Sequence, residues 1–453
     1  MAKRYLFTVL PTNDLGLLTR SLPVAKALQK KGQSVVFSHP AKAPRKLIAD
    51  AGFQNLLPTH PLYEIGFNGL HWKDIFSSRV VKEHHGGAIS FIKELVRSIP
   101  YRAAPASHEI WDMDHAFAIT GLLNANFIKA QCEVYMQVIR ASAADVVVDF
   151  WNPFACIAAK KLGVPLITIN QGDALPGTKG FIWWKERPEG TPSVVPAINK
   201  VLRSYGLKEV KQVEEITRGD LSLVTGMPET DPLQGDDHRY IGPLLWQDSR
   251  IPQPAWLQDM PDDKPLVWLY TSNPSYNGRS RVFDSDKMLQ PCFDALADED
   301  YYVVVTTGHH PLPKSIKVPA NFMQLPYVPG LFMAERSDLL IHHGGYGSCQ
   351  TGLYSGTPSL IFPTFSERES NARRMQALGA AEFILPHEYA AETIKNKVRQ
   401  LIHSPAYSTA AKAHGTHLKS YGGISKAVEL IEKFVAASTS ACDDEGWPEF
   451  FYR

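Results

Sequence analysis

Two histidines, three glycines and a serine lie within seven residues, from His342 to Ser348. They follow the apolar run 339–341, and residues 348–355 can form a helix that ends at Gly356. A strand, glycine turn and helix of this kind directs N–H groups and a positive helix dipole at the carboxyl edge of a parallel sheet. Histidine and serine can both donate hydrogen bonds to phosphate oxygens. The pattern predicts capture of a diphosphate; a tight turn without a ligand is the alternative.

The elements around this motif alternate between strand and helix patterns in both halves of the chain. Apolar runs typical of buried strands occur at 5–10, 35–37, 146–148, 166–169, 266–270, 302–306, 339–341 and 360–362. Helical spacing of apolar residues separates several of them, as between the first two runs. This alternation predicts an α/β fold with two doubly wound sheets.

Length and composition exclude several classes of protein. The chain has 453 residues, which favours two domains, and its 47 basic and 46 acidic side chains nearly cancel. No overall field for nucleic acid or an anionic membrane is therefore expected. Five scattered cysteines without a C-x-x-C pair indicate reduced thiols, and no apolar run reaches about 18 residues. We expect a soluble, cytoplasmic protein.

The predicted domain organisation has four parts. An N-terminal domain spans 1–227 and contains a helical insertion at about 62–140, rich in aromatic residues and histidine. Either this insertion walls a pocket for an apolar partner, or it has a core of its own. A proline-punctuated linker at 228–264 leads to a second domain at 265–430, and a tail spans 431–453.

The most specific motifs lie between 321 and 381: NFMQLPYVPG, HHGGYGS, GTPSLIFP and ERESNARR, preceded by RYIGP at 239–243. With them, nearly the whole chain resembles the GT-B fold nucleotide-sugar-dependent glycosyltransferases of the UDP-glycosyltransferase family (glycosyltransferase family 1-like). The resemblance implies two Rossmann-like domains that face each other across a cleft. The N-terminal domain would bind the acceptor, the C-terminal domain would bind the nucleotide-sugar, and the tail would return toward the N-terminal domain. It also implies metal-independent transfer of a sugar from a nucleotide donor, with inversion.

The resemblance assigns the donor site to the second half of the chain. By position, Tyr327 would stack on the nucleobase and Val328 would offer backbone groups to its edge. Glu367 and Arg368 match an acidic residue and a glutamine that hold the hydroxyls of the donor sugar, and Asn371 matches an asparagine that faces phosphate. The predicted donor set is Ser272, Asn273, Tyr327, Val328, His343, Gly345, Gly347, Ser348, Thr351, Glu367, Arg368 and Asn371.

Two of these positions depart from the pattern of the family. Thr351 stands where many relatives have a glutamate that grips both ribose hydroxyls, and a single hydroxyl cannot accept from both. A dTDP-sugar is therefore predicted as a donor beside a UDP-sugar. Arg368 replaces an amide with a planar cation, which would favour an anionic sugar if it faced the donor. An ion pair with Glu367 or Glu369 is the alternative.

The acceptor side lacks a histidine that relatives commonly use as the general base. Its position in the turn after the first strand is occupied by Leu15 or Leu17, depending on the alignment, and neither takes a proton. The supporting aspartate of the family survives as Asp149. We predict Asp14, in the same turn, as the base and Asp149 as the second choice; a turn or capping role for Asp14 stays open. An acidic acceptor, such as a phenol or a carboxylic acid, would need less help.

These observations predict an inverting glycosyltransferase that moves a sugar from a UDP- or dTDP-sugar to a hydroxyl or acidic oxygen of a small, apolar or aromatic acceptor. No metal and no cofactor is expected, because no cluster of residues has metal-ligand spacing. The predicted partners are the donor and the acceptor, without nucleic acid or stable membrane insertion, and the oligomeric state stays open. The rival predictions are a nucleotide-sugar epimerase or hydrolase and a catalytically silent nucleotide-sugar-binding protein.

Overall fold

The computed structural model contains two parallel β-sheets, one in each half of the chain. The residues that the structure describes are 2–12, 15–57, 103–105, 107–246, 254–258, 260, 262–271, 286–307, 312 and 318–443. The two doubly wound sheets predicted from the alternating pattern are present.

The first sheet has the strand order β3-β2-β1-β4-β5-β6-β7, and all neighbours are parallel. Its strands are β1 (Arg4–Val9), β2 (Ser34–Ser38), β3 (Gln54–Asn55), β4 (Val146–Phe150), β5 (Leu166–Asn170), β6 (Leu221–Val224) and β7 (Arg239–Tyr240). The order reverses between β1 and β4. Ligands of such sheets bind at the carboxyl ends of the strands beside this reversal.

The second sheet has the order β10-β9-β8-β11-β12-β13, again with parallel neighbours. Its strands are β8 (Leu266–Tyr270), β9 (Tyr302–Thr306), β10 (Phe322–Leu325), β11 (Leu339–His342), β12 (Ser359–Ile361) and β13 (Ala381–Phe383). Here the order reverses between β8 and β11, so the histidine and glycine motif lies at the reversal.

The helices connect successive strands and cover both sheets. The described helices are α1 (Gly16–Lys30), α2 (Lys42–Asp50), α3 (Met113–Ile119), α4 (Ala125–Ser142), α5 (Pro153–Leu162), α6 (Val195–Tyr205), α7 (Ala255–Gln258), α8 (Leu289–Leu296), α9 (Gly330–Arg336), α10 (Tyr346–Ser355), α11 (Ser366–Ala377), α12 (Ala391–His403), α13 (Pro405–Ser420) and α14 (Gly423–Asp443). None of them combines the length and the apolar character that a membrane crossing requires.

Alternate residues of the strands enter different cores, which explains why the strands read as continuous apolar runs. On β1, Leu6 packs with residues of α4 and α5, whereas Tyr5 and Phe7 pack on the other face with residues of α1 and α14. Both faces of the first sheet are therefore buried.

The last helix, α14, packs against the first domain. Its Ala427, Val428, Ile431 and Val435 are buried in the same core as β1 and α1. The predicted boundary between the second domain and the returning tail, at 430, lies inside this helix. The domain boundaries themselves remain predictions.

Two details differ from the sequence predictions. Helix α10 begins at Tyr346, two residues before the predicted start, because the turn needs only Gly344 and Gly345. The predicted linker 228–264 contains β7, which pairs with the edge of the first sheet.

The predicted insertion is described only from 103 onward, where it contributes α3 and most of α4, and residues 444–453 of the tail lie outside the described part. Four cysteines have side chains that the structure describes; all four are buried and none of them forms a disulfide: Cys132, Cys156, Cys292 and Cys349.

Candidate functional site

The turn after β11 requires glycine for two physical reasons. Gly344 has a φ of +84°, which side chains with a Cβ rarely adopt. A Cβ at this position would also lie 3.0 Å from the carbonyl oxygen of Arg368 and 3.0 Å from Cγ2 of Ile361. The turn is thus held close to β12 and to the start of α11.

Helix α10 begins without a side-chain cap. Gly345 is its N-cap residue, and the N–H groups of Ser348 and Cys349 already bond to the Gly345 carbonyl. The N–H groups of residues 345–347 precede the first intrahelical bond, so they point out of the helix start. A Cβ on Gly347 would meet no atom of the described residues within 4 Å. An uncapped and open helix start of this kind can bind an anion.

Both histidines at this edge are buried and neutral. Burial lowers the pKa of His342 to about 3, and its Nδ1 accepts a hydrogen bond from the Gly344 N–H at 3.1 Å. Burial, followed by the nearby charge of Arg368, holds the pKa of His343 well below its ordinary value. Within the described ranges, His343 Nδ1 has no hydrogen-bond partner. A neutral imidazole beside an uncapped helix suits a phosphate oxygen.

Asn371 links Glu367, a predicted sugar-binding residue, to the glycine turn after β11. Its Nδ2 donates to the Gly344 carbonyl at 3.1 Å and to Glu367 Oε1 at 2.9 Å. Burial raises the pKa of Glu367, and the bond from Asn371 opposes that increase. The structure therefore brings Glu367 close to the turn after β11, and Asn371 hydrogen-bonds to both.

Arg368, in the first turn of α11, contacts residues that directly precede this helix. Its Nη1 donates to Thr364 Oγ1 at 2.8 Å, and its guanidinium carbon lies 5.0 Å from the centre of the Phe365 ring. Glu369, one of its two predicted partners, instead pairs with Arg373 at 2.6 Å. The cation is thus located at the start of α11, near the two buried histidines.

The remaining described donor residues differ in exposure. Tyr327 follows β10 at the same edge of the sheet and is 52% exposed, as a platform for a base would be. The Val328 side chain is buried in the core, which leaves its backbone for the predicted contact. Thr351 Oγ1 donates to the Gly347 carbonyl at 2.8 Å, one helical turn earlier.

A buried ion pair joins the two domains beside this turn. Arg374 on α11 contacts Asp173, which follows β5 of the first sheet, at 2.8 Å; their side chains are 6% and 1% exposed. Burial opposes the charge of Arg374, but Asp173 outweighs it and raises the pKa of Arg374. Tyr346, the first residue of α10, lies with its hydroxyl 2.8 Å from Asp231 Oδ2. These contacts fix α10 and α11 against the first domain.

The sequence analysis missed these interdomain residues. Arg374 is three positions after Asn371 in the ERESNARR motif, which puts both on one side of a helix. That spacing is the only local signal of its role. The partner, Asp173, is 201 residues away in sequence and could not be read from any pattern.

A second contact encloses the start of α11. The Ser366 N–H donates to the His108 carbonyl at 3.0 Å, and the Ile110 N–H donates to Ser366 Oγ at 2.8 Å. On another side, Trp183 Nε1 donates to Ser370 Oγ at 3.3 Å. Segments of the first domain therefore wall the predicted sugar-binding loop.

Comparison with known proteins matches this part of the chain to one family. Residues 290–420 match the C-terminal domain of erythromycin biosynthesis protein CIII-like proteins. The uncharacterized UDP-glucosyltransferase YojK of Bacillus subtilis is 27% identical over 50% of this chain and 54% of its own length. A PGL/p-HBAD biosynthesis glycosyltransferase of Mycobacterium tuberculosis is 28% identical over 61% of this chain and 67% of its own length. The chain spans about half to two thirds of these relatives.

Solved structures share the whole fold. The spinosyn forosaminyltransferase SpnP superimposes with a TM-score of 0.65 at 18% identity, over 96% of this chain and 100% of the other. The glycosyltransferase VinC in complex with dTDP gives 0.64 at 16% identity, over 96% and 100%. These matches support the resemblance to UDP-glycosyltransferases stated from the sequence, and the GT-B fold predicted there is confirmed.

Asp149 is enclosed in the first domain rather than exposed. It is fully buried at the end of β4 and accepts hydrogen bonds from Thr8 Oγ1 at 2.5 Å, the Asn152 N–H at 2.9 Å and Cys156 Sγ at 3.3 Å. Burial raises the pKa of Asp149 to about 7. A carboxylate held in this way supports the end of the strand, and its burial disfavours direct contact with an acceptor.

Three predicted site residues, Asp14, Ser272 and Asn273, lie outside the described residues. Leu15 and Leu17, at the position of the usual histidine, differ in exposure: Leu15 is 38% exposed and Leu17 is buried in the core. The assignment of the general base remains a prediction.

Proposed function

We propose that this protein is an inverting glycosyltransferase that moves a sugar from a UDP- or dTDP-sugar to an oxygen of a small acceptor. The observation that carries this proposal is the uncapped start of α10 beside His343, whose buried Nδ1 has no partner among the described residues. Asn371 bonds to both the Gly344 carbonyl and Glu367, so the predicted sugar-binding carboxylate lies beside the turn that would bind the diphosphate, which supports the proposal.

In the proposed reaction, an acceptor oxygen attacks the anomeric carbon while the bond from that carbon to the β-phosphate oxygen breaks. The electron pair leaves with the nucleoside diphosphate. The N–H groups at the start of α10, His343 and Ser348 stabilise the added negative charge. The acceptor proton passes to a base, for which Asp14 is our first candidate.

The choice of nucleotide is supported from two sides. The neighbour VinC was solved with dTDP. Thr351 carries a hydroxyl, not a carboxylate, and that hydroxyl bonds to the Gly347 carbonyl in this structure. We therefore propose that the site accepts dTDP-sugars as well as UDP-sugars.

Thermal-shift and calorimetric titrations with UDP-glucose, UDP-glucuronate and dTDP-glucose test the donor site. We expect at least one of them to bind and to raise the unfolding temperature, because a ligand that binds only the native state stabilises it. Preference for the glucuronate would support a role of Arg368 toward an anionic sugar. No binding of any of the three, or of UDP or dTDP, would contradict the proposed function.

Incubation with the bound donor and a panel of phenols, alcohols and carboxylic acids tests transfer. We expect a glycosylated product with the inverted anomeric configuration, measured by NMR. Free sugar or an epimer formed without acceptor would favour the hydrolase or epimerase. Donor binding without any product across the panel would favour a silent binding protein.

Asp14→Asn tests the predicted base. We expect turnover to fall by about 10²- to 10⁴-fold, the usual contribution of a general base, with unchanged donor affinity. Asp50→Asn, at an exposed carboxylate on α2 that pairs with Lys46 on the same helix, is the control. Turnover near that of the wild type would exclude Asp14 as the base.

A further inference from the structure

Arg20 of the first domain lies against the first residue of α10. It is half-buried, one turn into α1, where its Nε donates to the Gly16 carbonyl at 3.2 Å. Its guanidinium carbon is 4.9 Å from the ring centre of Tyr346, the first residue of α10. Its Nη1 donates to Gln171 Oε1 at 3.4 Å. Arg20 therefore contacts both Tyr346 at the start of α10 and Gln171, whose side chain lies beside Glu367.

Gln171 connects Arg20 to the sugar-binding carboxylate. Its side chain is buried, and a hydrogen bond from that side chain opposes the burial that raises the pKa of Glu367. An amide donor thus adjoins Arg20 on the side of Glu367.

The position of α10 relative to Arg20 is fixed by the Tyr346 hydroxyl. It lies 2.8 Å from both the Thr225 carbonyl and Asp231 Oδ2, deep in the first domain. Because Tyr346 is the first residue of α10, this anchor sets how far Arg20 is from the unpaired N–H groups of that helix. The guanidinium is held beside a helix start, where positive charge is unfavourable unless an anion is bound.

Two independent features at the start of α10, which Arg20 contacts through Tyr346, are suited to an anion. The first is the uncapped start of this ten-residue helix. The second is the buried His343 Nδ1, which has no partner within the described ranges. Buried polar groups usually have partners, so an orphaned nitrogen at this helix start points to a bound group that supplies acceptor oxygens.

We propose that Arg20 binds the diphosphate of the donor from the first domain, opposite the N–H groups of α10. The inference rests on the proposed function, because it names a further residue of the same site. A planar guanidinium can contact two phosphate oxygens at once. The diphosphate is then bound by both domains, and Arg20 faces the oxygen on which charge grows as the sugar leaves.

Titrations of Arg20→Met and Arg20→Lys test this role. The probes are UDP and dTDP, with uridine and thymidine as matched ligands without phosphate. We expect Arg20→Met to weaken binding of the diphosphates by about 10- to 100-fold, the range for a lost hydrogen bond to a charged group. Binding of the nucleosides should stay within about twofold, and Arg20→Lys should recover part of the loss since it keeps the charge.

Lys30→Met is the control, because Lys30 is an exposed cation on the same helix. It should change none of the four affinities. A structural role for Arg20 would give a different result: the unfolding temperature of Arg20→Met would fall, and nucleoside and diphosphate binding would weaken equally. That result, or diphosphate binding within twofold of the wild type, would overturn the proposal.

The wild-type titration separates this inference from the proposed function. If the wild type binds neither UDP nor dTDP, the donor site itself is refuted and the inference is refuted with it. If the wild type binds them and Arg20→Met binds them equally well, only the role of Arg20 is refuted. Diphosphate-selective loss in Arg20→Met supports both.

Discussion

The carboxyl edges of the two sheets have the same local architecture, but the helices that start there differ. In the first sheet, Asp149 at the end of β4 accepts three hydrogen bonds, and Asn152 caps α5 by accepting from the Ala155 N–H. In the second sheet, α10 has no side-chain cap, and His343 Nδ1 has no partner among the described residues. The start of α5 is capped by the chain itself, whereas the start of α10 leaves donors for a ligand.

This difference shows how two similar units divide their roles. A capped helix and a saturated carboxylate stabilise the fold without external help. An uncapped helix start beside neutral histidines gains stability only when an anion is bound. The strand, turn and helix pattern therefore identifies places where a site can form, and the state of the polar groups indicates which place is used.

The buried pair between Arg374 and Asp173 joins these two edges, and its disruption should have the largest effect. Arg374→Met leaves Asp173 as a buried charge without its partner, so we expect a loss of about 3–5 kcal/mol in the free energy of unfolding. Urea denaturation measures it. Lys31→Met, which breaks an exposed pair with Glu432, should cost no more than about 1 kcal/mol. Equal losses in the two variants would show that the interdomain pair is not buried in solution.

The enclosure of Asp149 predicts a pH dependence of stability. Burial raises its pKa to about 7, so the native state keeps a proton that the unfolded chain loses near pH ~4. Stability should therefore fall as the pH rises from about 4 to about 7, by up to ~1.4 kcal/mol per pH unit.

Asp149→Asn should remove this contribution, because an amide does not titrate. Urea denaturation of both proteins at several pH values gives the difference in slope, and Asp50→Asn on the exposed face of α2 serves as the control. If the free energy of unfolding changed equally with pH in the wild type and in Asp149→Asn, the Asp149 carboxyl group would be exposed to water and not enclosed.

A methyl group added at the carboxyl edge of the second sheet should reduce nucleotide affinity more than it reduces the free energy of unfolding. In Gly345→Ala the new Cβ would lie 2.6 Å from His343 Nε2, so the imidazole must move away from the helix start. We expect UDP or dTDP affinity to fall by about tenfold, equivalent to ~1.4 kcal/mol. Calorimetric titration measures this.

Gly163→Ala is the control change away from both carboxyl edges, at the end of α5, where the backbone has a φ of +64° and open space. It should reduce stability by ~1–2 kcal/mol through backbone strain and leave nucleotide affinity unchanged. Weaker nucleotide binding in this variant, or normal binding in Gly345→Ala, would contradict a ligand site at the start of α10.

The smallest expected effect is on the discrimination between the ribose of UDP and the deoxyribose of dTDP. Thr351→Glu restores the carboxylate of many relatives, which can accept from both ribose hydroxyls, so UDP should gain about two- to tenfold over dTDP. Thr351→Val, which loses only the bond to the Gly347 carbonyl, should leave the ratio unchanged. Competition binding with the two nucleotides measures it. An unchanged ratio in Thr351→Glu would place the ribose elsewhere.

The fold and the local part of the candidate site could be predicted from the sequence because their signals are short-range. Apolar runs predicted strands that are buried on both faces, and Gly344 is required by the φ of its own residue. His343, Gly345 and Ser348 lie together because they are consecutive in one turn. The link from Asn371 to Glu367 spans four residues of one helix, which is also a local relation.

The sequence by itself determined the alternation of strands and helices and the glycine turn that begins α10. The tertiary structure decided that Asp149 is enclosed, that Arg374 pairs with Asp173, and that Arg20 lies over Tyr346. Local patterns arise from contacts within a few residues, so composition and spacing reveal them. Contacts between the domains depend on how two separately folded sheets pack, and no spacing within either segment encodes that arrangement.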